Sequence, residues 1–192
     1  MATHSSAALS AASSAATHTS TAVQQEAFKI LVVDDILDNL RLLNSVLTEE
    51  GYEVRQAPDG TMAIANIPRF QPDLVLLDIM MPDMDGYAVC ERIKADEATR
   101  DIPVIFLSAL DLTFDKIKAF EVGAADFIHK PFHPAEVLAR VRNQLRVRQQ
   151  GLQIQAQQAI IRAQQEQIEQ EIQARQAAEK KCRQLMAGLP AQ

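Results

Sequence analysis

Three aspartates, a serine and a lysine stand at the ends of hydrophobic runs, and these side chains could do chemistry together. Asp34 and Asp35 close "FKILVVDD", Asp78 closes "PDLVLLD", Ser108 closes "IPVIFLS" and Lys130 closes "DFIHK". A buried carboxylate without partners is costly, so Asp78 should emerge at a strand end among groups that hold it. Three close carboxylates repel one another and need a cation. Carboxylate and carbonyl oxygens suit a hard divalent ion such as Mg²⁺, which keeps waters that a phosphate can displace. A carboxylate in such a setting can attack phosphorus and form an aspartyl phosphate. Phosphoryl transfer asks mainly for positioning and charge neutralisation. On this chemistry Asp78 is the nucleophile, Mg²⁺ and Lys130 neutralise the phosphoryl oxygens, and Ser108 donates a hydrogen bond to one of them. The small Ala109 follows Ser108, Pro82 and Gly86 shape the loop after Asp78, and Lys130–Pro131 is a candidate cis bond on a stiff turn.

The elements that must position these residues are legible in the pattern. "FKILVV", "PDLVLL" and "IPVIFL" are continuous apolar runs, as expected of strands covered on both faces. "YEVRQA" and "DFIHKPF" read as shorter strands. Between them lie helical patterns: "ILDNLRLLNSVLTEEG", "DGTMAIANI" capped by Asp59, "GYAVCERIKADEA", and "TFDKIKAFEVGA" from Thr113 to a stop at Gly123. "PAEVLARVRNQLRVRQQ" opens a last helix with Pro134 in its first turn. Strand and helix alternate five times, the rhythm of a doubly wound parallel sheet. Chemistry in such sheets gathers at the carboxyl ends of the strands. Taken singly, each residue has an ordinary reading: Asp34 and Asp35 as strand-end residues, Ser108 as a turn residue, Lys130 as a surface charge, Phe127 as core. Their joint placement is what separates them from those readings. Met80 and Met81 read as packing, and His129 and His133 as ordinary neighbours of Lys130.

With these motifs in place, residues 28–149 resemble the receiver domain of two-component response regulators. The resemblance rests on Asp34-Asp35, "LLDIMMPDMDG" around Asp78, Ser108-Ala109 and "DFIHKPF" around Lys130, in matching order and spacing. It implies an α/β fold: a five-stranded, flavodoxin-like parallel sheet of order 2-1-3-4-5, here with a long C-terminal helix. It implies a Mg²⁺-dependent phosphoacceptor, with Asp78 taking the phosphoryl group from a phosphohistidine on a partner histidine kinase or phosphotransfer protein. Asp34, Asp35, Asp78 and the backbone carbonyl of Met80 would bind Mg²⁺. Ser108 and Phe127 match the family's switch positions, where many relatives carry Thr and Tyr. Phe127 lacks the phenolic hydroxyl, so a contact through it is unavailable. Such a chain is not expected to be an enzyme beyond its own phosphorylation and dephosphorylation.

Composition bounds the remainder. The expected organisation is a disordered leader at 1–25, a receiver at 26–149, a coiled-coil-like helical tail at 150–187 and a disordered end at 188–192. The leader is Ala-, Ser- and Thr-rich and lacks Lys and Arg, unlike a targeting peptide. Cys90 and Cys182 read as plain thiols in a reducing compartment, and a cytoplasmic location without membrane contact is expected. The net charge of −6 argues against general nucleic-acid binding. It divides unevenly: residues 26–134 hold 10 basic and 20 acidic side chains (−10), and residues 135–192 hold 9 and 5 (+4). Arg140, Arg142, Arg146 and Arg148 should form a solvated face or meet the acidic receiver of a second chain. Val147, Ile154, Ile161 and Ile168 recur every seven residues, after an earlier series of Leu138, Leu145 and Leu152. That periodicity predicts a parallel homodimer through the tail. The alternative is a receiver cut from a larger hybrid kinase or cyclase.

Overall fold

The computed structural model describes residues 27–109 and 118–187. Five strands alternate with helices: β1 (Lys29–Val33), α1 (Leu37–Glu49), β2 (Glu53–Ala57), α2 (Gly60–Phe70), β3 (Leu74–Asp78), α3 (Gly86–Ala95), β4 (Val104–Ser108) and β5 (Asp126–His129). The C-terminal helix (Pro134–Ala187) follows without a break. All pairings are parallel and the order is β2-β1-β3-β4-β5, as the resemblance implies.

The apolar runs have a simple cause. Successive side chains of a strand point to opposite faces. Leu31 and Val33 join one core with α2 and α3, while Ile30 and Val32 join the other with α1 and the C-terminal helix. Both faces are covered, so β1, β3 and β4 show no polar alternation. In the C-terminal helix Val137, Val141 and Leu145 are buried against the sheet, with Leu138 packed beside them. Leu138 and Leu145, two of the three members of the earlier seven-residue series, therefore serve the receiver's core. Leu152, together with Val147, Ile154, Ile161 and Ile168, is exposed.

Two helix ends differ from the sequence reading. α2 runs on through Pro68 to Phe70 instead of stopping at Ile67. One backbone bond is lost at Pro68, but Phe70 reaches the core at 3% exposure, and Gln71 in the left-handed region caps the end by donating to the Ile67 carbonyl. α3 stops at Ala95, three residues early, because Asp96 turns extended and its carboxylate accepts from the Ala98 N–H. The helix expected from Thr113 lies mostly outside the described residues. Its last turn, residues 118–121, is helical, and Gly123 follows at φ +91°. The expected leader at 1–25 and end at 188–192 also lie outside the described residues. Among the described residues no helix is long and apolar enough to cross a membrane.

Candidate functional site

The carboxyl edge of the sheet brings the predicted side chains together. Asp34 follows β1, Asp78 ends β3, Ser108 ends β4 and Lys130 follows β5. Asp34 and Asp78 are 0% and 2% exposed, Ser108 is buried, and Asp35 and Ala109 face solvent. Lys130 reaches across the edge. Its Nζ donates to Asp34 Oδ2 at 2.8 Å and to Asp78 Oδ2 at 2.6 Å. Its backbone N–H donates to the Ser108 carbonyl at 2.8 Å, which ties the ends of β4 and β5. The Lys130–Pro131 bond is cis, as expected.

Each carboxylate is oriented by a second contact. The Asn39 amide donates to both oxygens of Asp34 at 2.9 and 3.1 Å, and the Ile36 N–H donates to Oδ1. The Met80 N–H donates to Asp78 Oδ1 at 3.2 Å. Sequence reasoning missed Asn39. The available signal was its place in the first turn of α1, where a side chain can reach back to the end of β1. Met80 corrects another expectation: Met81 packs in the core, but the Met80 side chain is 62% exposed. The loop turns sharply to let this happen. The Gly86 N–H returns to the Ile79 carbonyl at 3.0 Å, Asp83 sits at φ +64°, and the Asp85 carboxylate caps α3 through the Ala88 N–H. A Cβ on Gly86 would lie 2.2 Å from the Asp78 carbonyl oxygen, so the turn requires glycine there.

The electrostatics are asymmetric. Burial pushes the Asp78 carboxyl above its ordinary range, against the hydrogen bond and charge of Lys130, and the charge of Asp34 adds to the rise. Burial would lower the Lys130 ammonium, but the two carboxylates over-compensate and raise it. One ammonium thus bridges two buried carboxylates, and a third carboxylate, Asp35, stands at the rim. Oxygens of Asp34, Asp35 and Asp78 all lie within 4.8 Å of one another. This oxygen-only set, with more negative charge than Lys130 can balance, fits a hard divalent cation.

Phe127 lies half-buried on the neighbouring face. Phe120 and His129 meet it edge-on at 6.3 and 5.5 Å, and the Arg140 guanidinium lies 5.7 Å from its ring centre. His129 is therefore a packing partner of Phe127. The four arginines divide: Arg142 and Arg146 are exposed, as a solvated face would have them, while Arg140 and Arg148 are half-buried against the receiver. Arg140 pairs with Asp126 and Glu136, Arg142 with Glu50, and Arg148 with the Asp101 carbonyl. Arg146 meets Asn143. Arg140 and Arg142 thus find carboxylates within the same chain, without a second receiver. Cys90 is buried, and burial pushes its thiol up to about 11.

A doubly wound sheet with an acidic, lysine-bridged carboxyl edge defines a small class of phosphate-handling proteins. The profile described as "Response regulator receiver domain" matches residues 30–142, and the chain belongs to that family. It is 51% identical over 115 residues to response regulator PleD of Caulobacter vibrioides, a match covering 60% of this chain and 25% of PleD. The chain thus spans about a quarter of that relative's length. The signal receiver domain of a signal transduction histidine kinase from Syntrophus aciditrophicus is 36% identical. It superposes at TM-score 0.58, covering 62% of this chain and 90% of that one. The receiver domain of sensor histidine kinase PA1611 from Pseudomonas aeruginosa PAO1 is 31% identical at TM-score 0.58, covering 62% and 98%. That crystal structure has a magnesium ion coordinated in the active site cleft.

Proposed function

We propose that this chain is a Mg²⁺-dependent phosphoacceptor that takes a phosphoryl group onto Asp78 from the phosphohistidine of a kinase or phosphotransfer protein. The observation that carries this reading is the buried Asp78 carboxylate, hydrogen-bonded to Lys130 and within reach of Asp34 and Asp35. The magnesium in the related PA1611 cleft supports the choice of ion. Asp34, Asp35, Asp78 and the Met80 carbonyl would hold Mg²⁺, which when bound neutralises phosphoryl oxygens. Asn39 and the Ile36 N–H keep Asp34 aimed at the edge. The Met80 N–H holds one oxygen of Asp78 and leaves the other, now on Lys130, to attack phosphorus. The new P–O bond forms as the P–N bond breaks, and its electron pair stays on the donor imidazole. Lys130 then follows the charge from the carboxylate to the phosphoryl oxygens, and the Ser108 hydroxyl donates to one of them. Phe127 is the aromatic partner of that switch. No chemistry beyond gaining and losing the phosphoryl group is assigned to the chain. Incubation with Mg²⁺ and acetyl phosphate should add one phosphoryl group by intact mass. Asp78→Asn should abolish it, and undiminished labelling of that variant would refute the assignment.

We infer that the output runs through the C-terminal helix, paired with a second copy. Val147, Ile154, Ile161 and Ile168 are 53–56% exposed at seven-residue spacing. A polar helix this long gains most of its stability from packing, which the described contacts do not supply beyond the receiver. Burying the four side chains at roughly 1.5–3 kcal/mol each is enough for a moderate dimer after association costs. The parallel alignment is favoured because each tail grows from the same end of its receiver, and pairing in register sets each isoleucine against its own copy. Sedimentation of the full chain against one ending at Gln149 tests the pairing. Two monomers at tens of micromolar would refute it.

A further inference from the structure

The C-terminal helix leaves the receiver one turn after Leu145. From Gln149 to Lys181 every residue of described burial is exposed. Arg148 is the last residue of the helix that holds the receiver. Its Nη1 donates to the Asp101 carbonyl at 2.8 Å, in the loop between α3 and β4. Its Nε lies 3.7 Å from Asp73 Oδ1 and is buried with no hydrogen-bond partner. Asp73 in turn accepts from the Lys29 N–H at 2.9 Å, so the guanidinium rests on the junction of β1 and β3.

The same loop is held from the other side. Lys94 Nζ donates to the Arg100 and Ile102 carbonyls at 2.9 and 2.7 Å. Three successive carbonyls, at 100, 101 and 102, are thus captured by two cations, one from α3 and one from the C-terminal helix. The Lys94 stem passes Gly123, where a Cβ would come within 3.2 Å of it. Clefts open on both sides of Arg148: about 490 Å³ toward Ile67, Pro72 and Ile102, and about 200 Å³ toward Gly151 and Leu152. Apolar packing does not fill these clefts, so the braces on the helix there are polar and centre on Arg148.

We propose that Arg148 is the positioning residue that fixes the direction in which the C-terminal helix leaves the receiver. The proposal rests on the reading that this helix carries the output. Lysine could not substitute fully, because only the planar fork spans Asp101 and Asp73 at once. Arg142 is a poor alternative, since its pair with Glu50 is 57% and 37% exposed. Arg140 acts upstream of Leu145, where the helix is already packed. The lever is long. From Arg148 to Ala187 the helix extends about 60 Å, so a 10° change at its root moves the far end about 10 Å.

Nitroxide labels on Thr48→Cys and Gln157→Cys, in a Cys182→Ser background, test this on the full chain. Dilution with unlabelled chain restricts the signal to distances within one molecule. The starting chain should give one narrow distance distribution. Arg148→Gln should at least double its width, with the melting temperature and acetyl-phosphate labelling unchanged. Arg148→Lys should fall between, and Arg142→Gln should keep the starting width. An Arg148→Gln distribution as narrow as the start, or equal broadening by Arg142→Gln, would overturn the proposal. Sedimentation of the same samples reports pairing separately. A monomeric chain with a narrow distribution would refute the dimer and leave the anchor standing.

Discussion

Gly86→Ala is the substitution whose effect the structure sets most sharply. The added methyl would lie 2.2 Å from the Asp78 carbonyl oxygen and 2.9 Å from the Ile79 Cα. Both atoms are backbone, so no rotamer change relieves the contact. Ordinary separation needs the strand end and the start of α3 to part by more than 1 Å. Overpacking of a filled site costs about 1–3 kcal/mol, and the rigid neighbours here place the change near the upper end. The same displacement acts on chemistry, because the atoms that move belong to the nucleophile's own residue. A shift of about 1 Å at a reacting group can cost on the order of 100-fold in rate. Urea unfolding gives the stability change, and the initial rate of acetyl-phosphate labelling gives the chemical one. A variant within about 0.5 kcal/mol and twofold of the parent would show that the turn yields easily, and would refute this account of Gly86.

Four further outcomes follow, three from the same site and one from the C-terminal helix. The Asp78 carboxyl is raised by burial and by Asp34, so its stabilising contribution exists below the unfolded value and is lost as pH rises through the folded one; Asp78→Asn should therefore melt higher at pH 7. Saturating Mg²⁺ should raise the melting temperature of the parent, by about 2.7 kcal/mol of stability at 100 times Kd, and should fail to do so in Asp34→Asn/Asp78→Asn, as calorimetry would show. Lys130→Ala strips the ammonium from two buried carboxylates and should cost about 3–5 kcal/mol in Mg²⁺-free urea unfolding. Ile161→Asp should shift the full chain to monomer in sedimentation without changing the labelling of Asp78.

Much of this arrangement was legible in the sequence because strands ending in Asp, Asp, Ser and Lys meet at one edge of a parallel sheet. The topology alone brings Asp34, Asp78 and Lys130 together, and their types then dictate the chemistry. Asn39 was not legible, since its role depends on the aim of one amide from the first turn of α1. The reach of α2 past Pro68 was hidden because the burial of Phe70 decides it, and propensity points the other way. The heptad signal was ambiguous for a different reason. Leu145 and Ile154 show the same spacing to their neighbours, yet one faces the receiver core and the other faces solvent. Periodicity reports that a face is apolar and not what covers it. The arginines needed the fold for the same reason: Glu50, Asp73 and Asp101 are far from them in sequence and adjacent in space.

The central claim is that Asp78, and no neighbouring carboxylate, becomes the phosphorylated residue. Treating the acetyl-phosphate-labelled chain with borohydride converts an aspartyl phosphate to homoserine, and peptide mapping by mass spectrometry locates it. The account predicts homoserine at position 78 alone, dependent on Mg²⁺. Homoserine at 34 or 35, or label retained elsewhere with position 78 unmodified, would contradict it.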